Sequence, residues 1–259
     1  MKIYRYSGAG NSFVVIDGRN IDVRRYRTPA VVRALCSYNG TDGLMLLLQS
    51  KTADFRMEFY NPDGSGGMMC GNGGRCIVAF ADLLGVKPFH TRDYVFEAPD
   101  GIHHAEILSH LGEMKLIRLE MRDVHACEPA LDGWFADTGT RHFVKFVPDA
   151  DAVDIETEGP AYRNHPAFAP AGANANFVSP LPDGSLRVRT FEKGVEGETP
   201  ACGTGVTACA IAACASGVGK PPYTLIANGG TLSVDFVSLQ DGSFTQVFLT
   251  GPTLCEGEL

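Results

Sequence analysis

Cys70-Gly71-Asn72-Gly73 and Cys202-Gly203-Thr204-Gly205, 132 residues apart, are one short pattern used twice. Each follows an alternating, strand-like stretch and a polar, glycine-rich loop. Phe55-Arg56-Met57-Glu58-Phe59-Tyr60 ends at Asn61 in the first case, and Leu186-Arg187-Val188-Arg189-Thr190-Phe191 ends at Glu192 in the second. Each pattern also opens a run with helical spacing, Ile77, Phe80 and Leu84 against Val206, Ala210 and Ala213. Both runs stop at a glycine, Gly85 or Gly217, suited to a left-handed cap. Gly85-Val86-Lys87-Pro88 then matches Gly217-Val218-Gly219-Lys220-Pro221, while upstream Ser7-Gly8 and Asn11 match Thr138-Gly139 and His142. One such pair can arise by chance; the ordered series indicates duplication.

Duplication sets the expected architecture: an α/β (α+β) chain of two similar, pseudo-symmetric lobes, residues 1–117 carrying Cys70 and residues 118–250 carrying Cys202. One strong helical run per half predicts a curved, mostly antiparallel sheet around a single central helix in each lobe. At 259 residues the chain builds a core without disulfide staples. A net charge of −8 with no Lys/Arg run argues against nucleic-acid binding. No apolar run is long enough to span a bilayer, and the first residues lack a secretory signal, so the cytoplasm is the expected location. The eight cysteines include no C-x-x-C pair, and the histidines do not stand at zinc spacings beside them, so no metal site is expected.

A strand, a glycine-rich loop and a helix start place unpartnered backbone N–H groups and the positive end of a helix dipole beside each cysteine. Such a place favours an anion: it holds a carboxylate, or it lowers a thiol pKa from the free value of about 8.5. A lone Cys-Gly-x-Gly is more often a packed turn than a reactive centre. A packing cysteine, however, has no reason to recur with its helix start and its glycines. Two such helix starts facing one small ligand across a cleft suit inversion at carbon, one thiolate removing a proton while the opposite thiol returns one to the far face. The amides would stabilise the charge that develops on a carboxylate. This chemistry needs no cofactor, and none of the usual phosphate-cradling motifs occurs. Cys36, Cys76, Cys127, Cys209, Cys214 and Cys255 read as structural, Trp134 as a packing residue, and the charged stretch Asp22 to Arg27 as solvated surface.

The strings Asn61-Pro62-Asp63-Gly64-Ser65, Met69-Cys70-Gly71-Asn72-Gly73-Gly74-Arg75-Cys76 and Gly197-Glu198-Thr199-Pro200-Ala201-Cys202-Gly203-Thr204-Gly205 resemble the two signature motifs of diaminopimelate epimerases. Gly10-Asn11-Ser12-Phe13, Gly139 to His142 and Asn174-Ala175-Asn176-Phe177 fall in that family's order, and the resemblance covers nearly the whole chain. It implies the diaminopimelate epimerase-like fold with the tail 251–259 returning to the first lobe, a homodimer, and a small amino-acid substrate. The implied reaction is cofactor-independent interconversion of LL- and meso-diaminopimelate in lysine and cell-wall precursor synthesis. Cys70 and Cys202 would be the two bases. Amides of Gly71, Asn72, Gly203 and Thr204 would hold the carboxylate at the reacting carbon. Asn11, Asn61, Asn174 and Glu192 would bind the distal amino-acid head, with His142 and Glu192 also near the reacting centre.

The chain departs from the family pattern at four positions. Lys193 stands where the family carries an arginine for the distal carboxylate, which keeps the charge but loses the two-pronged fork. Thr140 and Arg141 replace Asn-Pro before His142; the Thr140 hydroxyl retains one polar group, and Arg141 supplies a cation that could compensate for Lys193. Ser12 replaces an aspartate. Two alternatives stay open: a related racemase or epimerase acting on histidine or a proline derivative, and a ligand-binding or redox protein whose thiols form a switchable disulfide.

Overall fold

A computed structural model describes residues 2–67, 69–89 and 93–259, and the chain divides into two units, Met1–Leu119 with Thr250–Leu259, and Glu120–Leu249. In the first unit the strands are β1 (Ile3–Gly8), β2 (Asn11–Asp17), β3 (Leu44–Leu48), β4 (Phe55–Tyr60), β5 (Tyr94–Ala98), β6 (Gly101–Leu111) and β7 (Met114–Glu120). Helix α1 (Pro29–Asn39) follows β2, and α2 (Gly71–Leu83) follows β4. The strands pair in chain order, antiparallel except for β2–β3 and β4–β5. Residues 250–258 close this sheet on itself, pairing with β7 (Gly251 opposite Ile117) and with β1 (Tyr4 opposite Glu258). Within the ring lies α2, buried on every side from Gly71 to Ala81.

The second unit repeats the plan. Its elements are β8 (Cys127–Ala130), β9 (Gly133–Asp137), β10 (Arg141–Phe146), α3 (Ile155–Arg163), β11 (Asn174–Pro180), β12 (Leu186–Glu192), β13 (Gly197–Thr199), α4 (Gly203–Ala215), β14 (Tyr223–Ala227), β15 (Gly230–Ser238) and the first part of β16 (Phe244–Glu258). The two parallel pairings recur as β10–β11 and β12–β14. Helix α4 has the same 13-residue length as α2 and is buried throughout its length except at Thr204 and its last two residues. The mixed, two-unit architecture expected from the repeat is therefore present.

Three details differ from the sequence reading. The predicted apolar stripes on α2 and α4 are incomplete, because both helices are enclosed on all sides; Gly, Ala and Cys keep them slim enough for a curved sheet to wrap them. Each unit also holds a second helix. Helix α1 begins with Pro29 at its first position and ends at Gly40 (φ 59°), but it buries only Val32 and Cys36, too few residues to write a clear period. Helix α3 buries only Ile155 and Gly159 and carries Pro160 inside it. Both long helices end at the expected glycines, Gly85 (φ 72°) and Gly217 (φ 77°). The next amides close the turn, Val86 N to Ala81 O at 3.0 Å and Val218 N to Ala213 O at 2.8 Å. The charged stretch Asp22 to Arg27 also buries Val23 and Tyr26 among its exposed arginines. No helix among the described residues is long and apolar enough to cross a membrane.

Candidate active site

Cys70 and Cys202 are the N-cap residues of α2 and α4, with extended backbones (φ −98° and −109°) that turn the strand-side loop into the helix. Their carbonyls accept the first helical bonds, from Gly74 N at 2.7 Å and Val206 N at 2.9 Å. Gly71-Asn72 and Gly203-Thr204 thus supply first-turn amides, which have no acceptor within their own helix. Cys70 is half-buried and Cys202 is 7% exposed.

In the first unit, Asn11 at the start of β2 meets Asn72. Asn72 Nδ2 donates to Asn11 Oδ1 at 2.7 Å, while Asn72 Oδ1 accepts from Arg75 Nη2 at 2.8 Å. This order of donors fixes both amide orientations and turns the Asn11 NH₂ away from Asn72. Asn61 stands apart from that chain, its Nδ2 donating to Ser65 Oγ at 2.9 Å and its backbone N–H to Ser65 O at 2.9 Å within its own loop.

The second unit gathers more of the expected residues. His142 on β10 is fully buried, and burial pushes its pKa down to about 3, so the ring is neutral. Asn176 Nδ2 donates to His142 Nδ1 at 3.1 Å, and its amide sense is set by Thr190 Oγ1 donating to Asn176 Oδ1 at 2.9 Å. The ring proton therefore sits on Nε2, 2.9 Å from Thr140 Oγ1 and 3.0 Å from Thr204 Oγ1. Thr140 Oγ1 donates to Thr204 Oγ1 at 2.9 Å, and Thr204 Oγ1 lies 3.4 Å from Cys202 Sγ. Glu192, at the end of β12, accepts from Thr199 Oγ1 at 2.8 Å and is hydrogen-bonded to Cys202; burial raises its pKa and these bonds oppose the rise. Asn174 pins backbone rather than forming a turn, with Nδ2 donating to Arg141 O at 3.0 Å and Oδ1 accepting from Lys193 N at 2.8 Å. The Lys193 side chain is exposed.

Arg141 does not play the compensating part expected for it. Neighbouring strand residues point to opposite faces, so with His142 turned toward α4 the Arg141 side chain leaves on the other side. There it lies 5.1 Å from the centre of the Phe135 ring and donates to Phe168 O at 2.9 Å. Sequence reasoning also left out Asn176 and Arg75 as site residues. Asn176 was legible from its spacing, since it stands two residues after Asn174 and so shares its face of β11. Arg75, inside the first cysteine motif, is 0% exposed. Among the described residues no cluster of three or more His, Cys, Asp or Glu side chains could hold a metal ion.

Comparison with known proteins bears on the family and the fold. The diaminopimelate epimerase family profile matches residues 3–121 and 134–253. Among curated relatives, the diaminopimelate epimerase of Flavobacterium psychrophilum is 40% identical over 256 residues, covering 97% of this chain and 96% of its own. That of Chlorobaculum tepidum is 41% identical over 258 residues, covering 95% of each. Two solved structures share the fold: a Bacillus anthracis phenazine biosynthesis protein of the PhzF family (TM-score 0.74, 13% identity, covering 100% of this chain and 98% of its own) and a probable proline racemase from Agrobacterium radiobacter (TM-score 0.70, 16% identity, covering 100% and 92%). The repeated cysteine-capped helices and the two full-length relatives lead to one assignment: the chain belongs to the diaminopimelate epimerase family.

Proposed function

We propose that this protein interconverts LL- and meso-diaminopimelate by a two-base reaction in which Cys70 and Cys202 exchange roles. The observation that carries the reading is the placement of both cysteines as N-caps of matching buried helices, in a chain of this family. One thiolate takes the α-proton and the other thiol returns a proton to the opposite face. The α-proton is weakly acidic, so charge passing to the substrate carboxylate needs stabilising, a task suited to amides at Gly71, Asn72, Gly203 and Thr204. Asn11, Asn61, Asn174, Glu192 and Lys193 are assigned to the distal head, and Thr140 and His142 to support of Cys202. Lysine and cell-wall precursor synthesis, a cytoplasmic location and a homodimer belong to the same reading.

The test is conversion of LL- to meso-diaminopimelate by reduced protein without added cofactor. Cys70→Ala and Cys202→Ala are each expected to abolish it, while Cys36→Ala and Cys127→Ala keep most of it. Normal turnover by either of the first two variants would remove the mechanism. In deuterated water, α-proton exchange with diaminopimelate but not with histidine or proline derivatives would separate this substrate from the alternatives.

A further inference from the structure

We propose that in the free protein Cys70 carries the resting thiolate and Cys202 the resting thiol, and that the buried guanidinium of Arg75 sets this difference. The proposal rests on the two cysteines being the bases of the reaction. The internal repeat makes the comparison direct: Arg75 stands five residues after Cys70, and Thr207 five residues after Cys202. The Thr207 hydroxyl donates to Gly203 O at 2.9 Å, a neutral bond back along the helix. Arg75 makes the corresponding bond, Nη1 to Gly71 O at 3.3 Å, and adds Nη2 to Asn72 Oδ1 at 2.8 Å. Helical side chains lean toward the N-terminus, so a full positive charge lies under the first turn of α2, behind its N-cap cysteine.

That charge has little else to face. Arg75 is 0% exposed, its Nε has no acceptor, and none of its bonds among the described residues goes to a carboxylate. A buried cation left unpaired is costly, and a neighbouring anion offsets the cost. Several titratable side chains stand near this end of α2 among the described residues. Burial pushes the adjacent Cys76 thiol up to about 12, which keeps it protonated. Tyr6 on β1 is raised further and hydrogen-bonds to Cys255 on β16. Glu256, also on β16, is paired with Arg5 at 2.7 Å. Cys70 remains, half-buried, at the positive end of the helix and one residue before Gly71, whose carbonyl Arg75 holds.

The surroundings of Cys202 have the opposite character. Glu192 on β12 is hydrogen-bonded to it, and a nearby carboxylate favours the protonated thiol. His142 on β10 is neutral, and the Cys209 thiol in α4 is held well above its ordinary value by burial. Thr199 and Thr204 add only hydroxyls. A substrate entering this form gives its α-proton to the Cys70 sulfur and receives the Cys202 proton on the other face. One C–H and one S–H bond break as one S–H and one C–H bond form, which leaves the charge on Cys202.

Alkylation of the reduced full chain with iodoacetamide across a pH series, without substrate, tests this. Each cysteine is quantified by peptide mass spectrometry, and the midpoint is read rather than the rate because Cys202 is the less exposed. The Cys70 midpoint should lie below that of Cys202 by about one pH unit or more. Arg75→Gln should raise the Cys70 midpoint by about one unit and leave Cys202 unmoved, with Arg75→Lys in between. A Cys202 midpoint equal to or below that of Cys70 overturns the proposal, as does a folded Arg75→Gln protein with an unmoved Cys70. If Arg75→Gln does not fold, the wild-type order of midpoints and the Arg75→Lys shift decide. Thiol midpoints are readable whatever the protein converts, so a failed epimerase assay and a failed proposal give different results.

Discussion

The Thr204 hydroxyl lies 3.4 Å from Cys202 Sγ, within hydrogen-bonding distance of the sulfur. Thr140 already donates to Thr204 Oγ1, and His142 Nε2 stands 2.9 Å from Thr140 Oγ1 and 3.0 Å from Thr204 Oγ1. Since the Thr204 oxygen accepts from Thr140, its own proton is available to turn toward sulfur. The buried imidazole is thus joined to Cys202 through the Thr140 and Thr204 hydroxyls.

Thr204→Val should therefore lower kcat while leaving KM nearly unchanged. Loss of a hydrogen bond to a charged partner corresponds to about 1.5–3 kcal/mol, or roughly ten- to hundredfold. Steady-state kinetics check the split, and Thr204→Ser should restore most of the rate. A Val variant with normal kcat would show that the hydroxyl does not serve the sulfur.

Lys193 behaves differently, because only its backbone is fixed, by Asn174, while its side chain is exposed. If the ammonium binds the distal carboxylate, Lys193→Ala should raise KM by about tenfold with kcat little changed. Lys193→Arg should match or improve on the wild type, since a guanidinium can grip a carboxylate with two bonds. Unchanged KM in the alanine variant would remove Lys193 from the site.

His142 links stability to pH. Its folded pKa of about 3 lies below its ordinary value of 6.5, so between these values the unfolded chain binds the extra proton. Stability from this group is fully present above pH 6.5 and is lost as pH falls through the window toward 3. Its size is on the order of a few kcal/mol. Urea unfolding midpoints measured down this range should decline in the wild type, and more gently in His142→Gln, which cannot titrate. Parallel declines would contradict the assignment.

Gly205 tests how tightly α4 is wrapped. A Cβ there would come within 2.7 Å of Asn176 Oδ1 and 3.4 Å of Cys202 Sγ. Gly205→Ala should cost about 2 kcal/mol. Its melting temperature should fall by several degrees. Gly197→Ala, whose Cβ would meet nothing within 4 Å, is the control. Equal melting curves for the two variants would mean that Asn176 yields freely.

What could be read beforehand followed from motif and repetition. Cys70 and Cys202 stand at helix starts because a strand, a glycine loop and a helical run are written plainly twice. The second helix in each unit was not legible, since α1 and α3 bury two residues each and Pro160 interrupts the pattern of α3. The all-round burial of α2 from Gly71 to Ala81 was hidden by its small residues, which carry little apolar signal. The role of Arg75 was hidden for a related reason: a charged side chain in a sequence is read as solvated, and only packing reveals one that is not. Arg141 was misjudged because its importance depended on which side of β10 it leaves, and neighbouring positions on a strand diverge.

Strand β16 gives the molecule an unusual order of completion. Tyr4 pairs with Glu258, so the ring around α2 joins residues 254 positions apart. The half of the chain that is synthesised first must wait for its final stave until all of the other half has been made. During that interval the edges of β1 and β7 lack the partner they will share, and slow, long-range closure of this kind exposes a nascent protein to mispairing. The helix start that presents Cys70 is thus enclosed late, by a segment that follows the whole second unit in sequence.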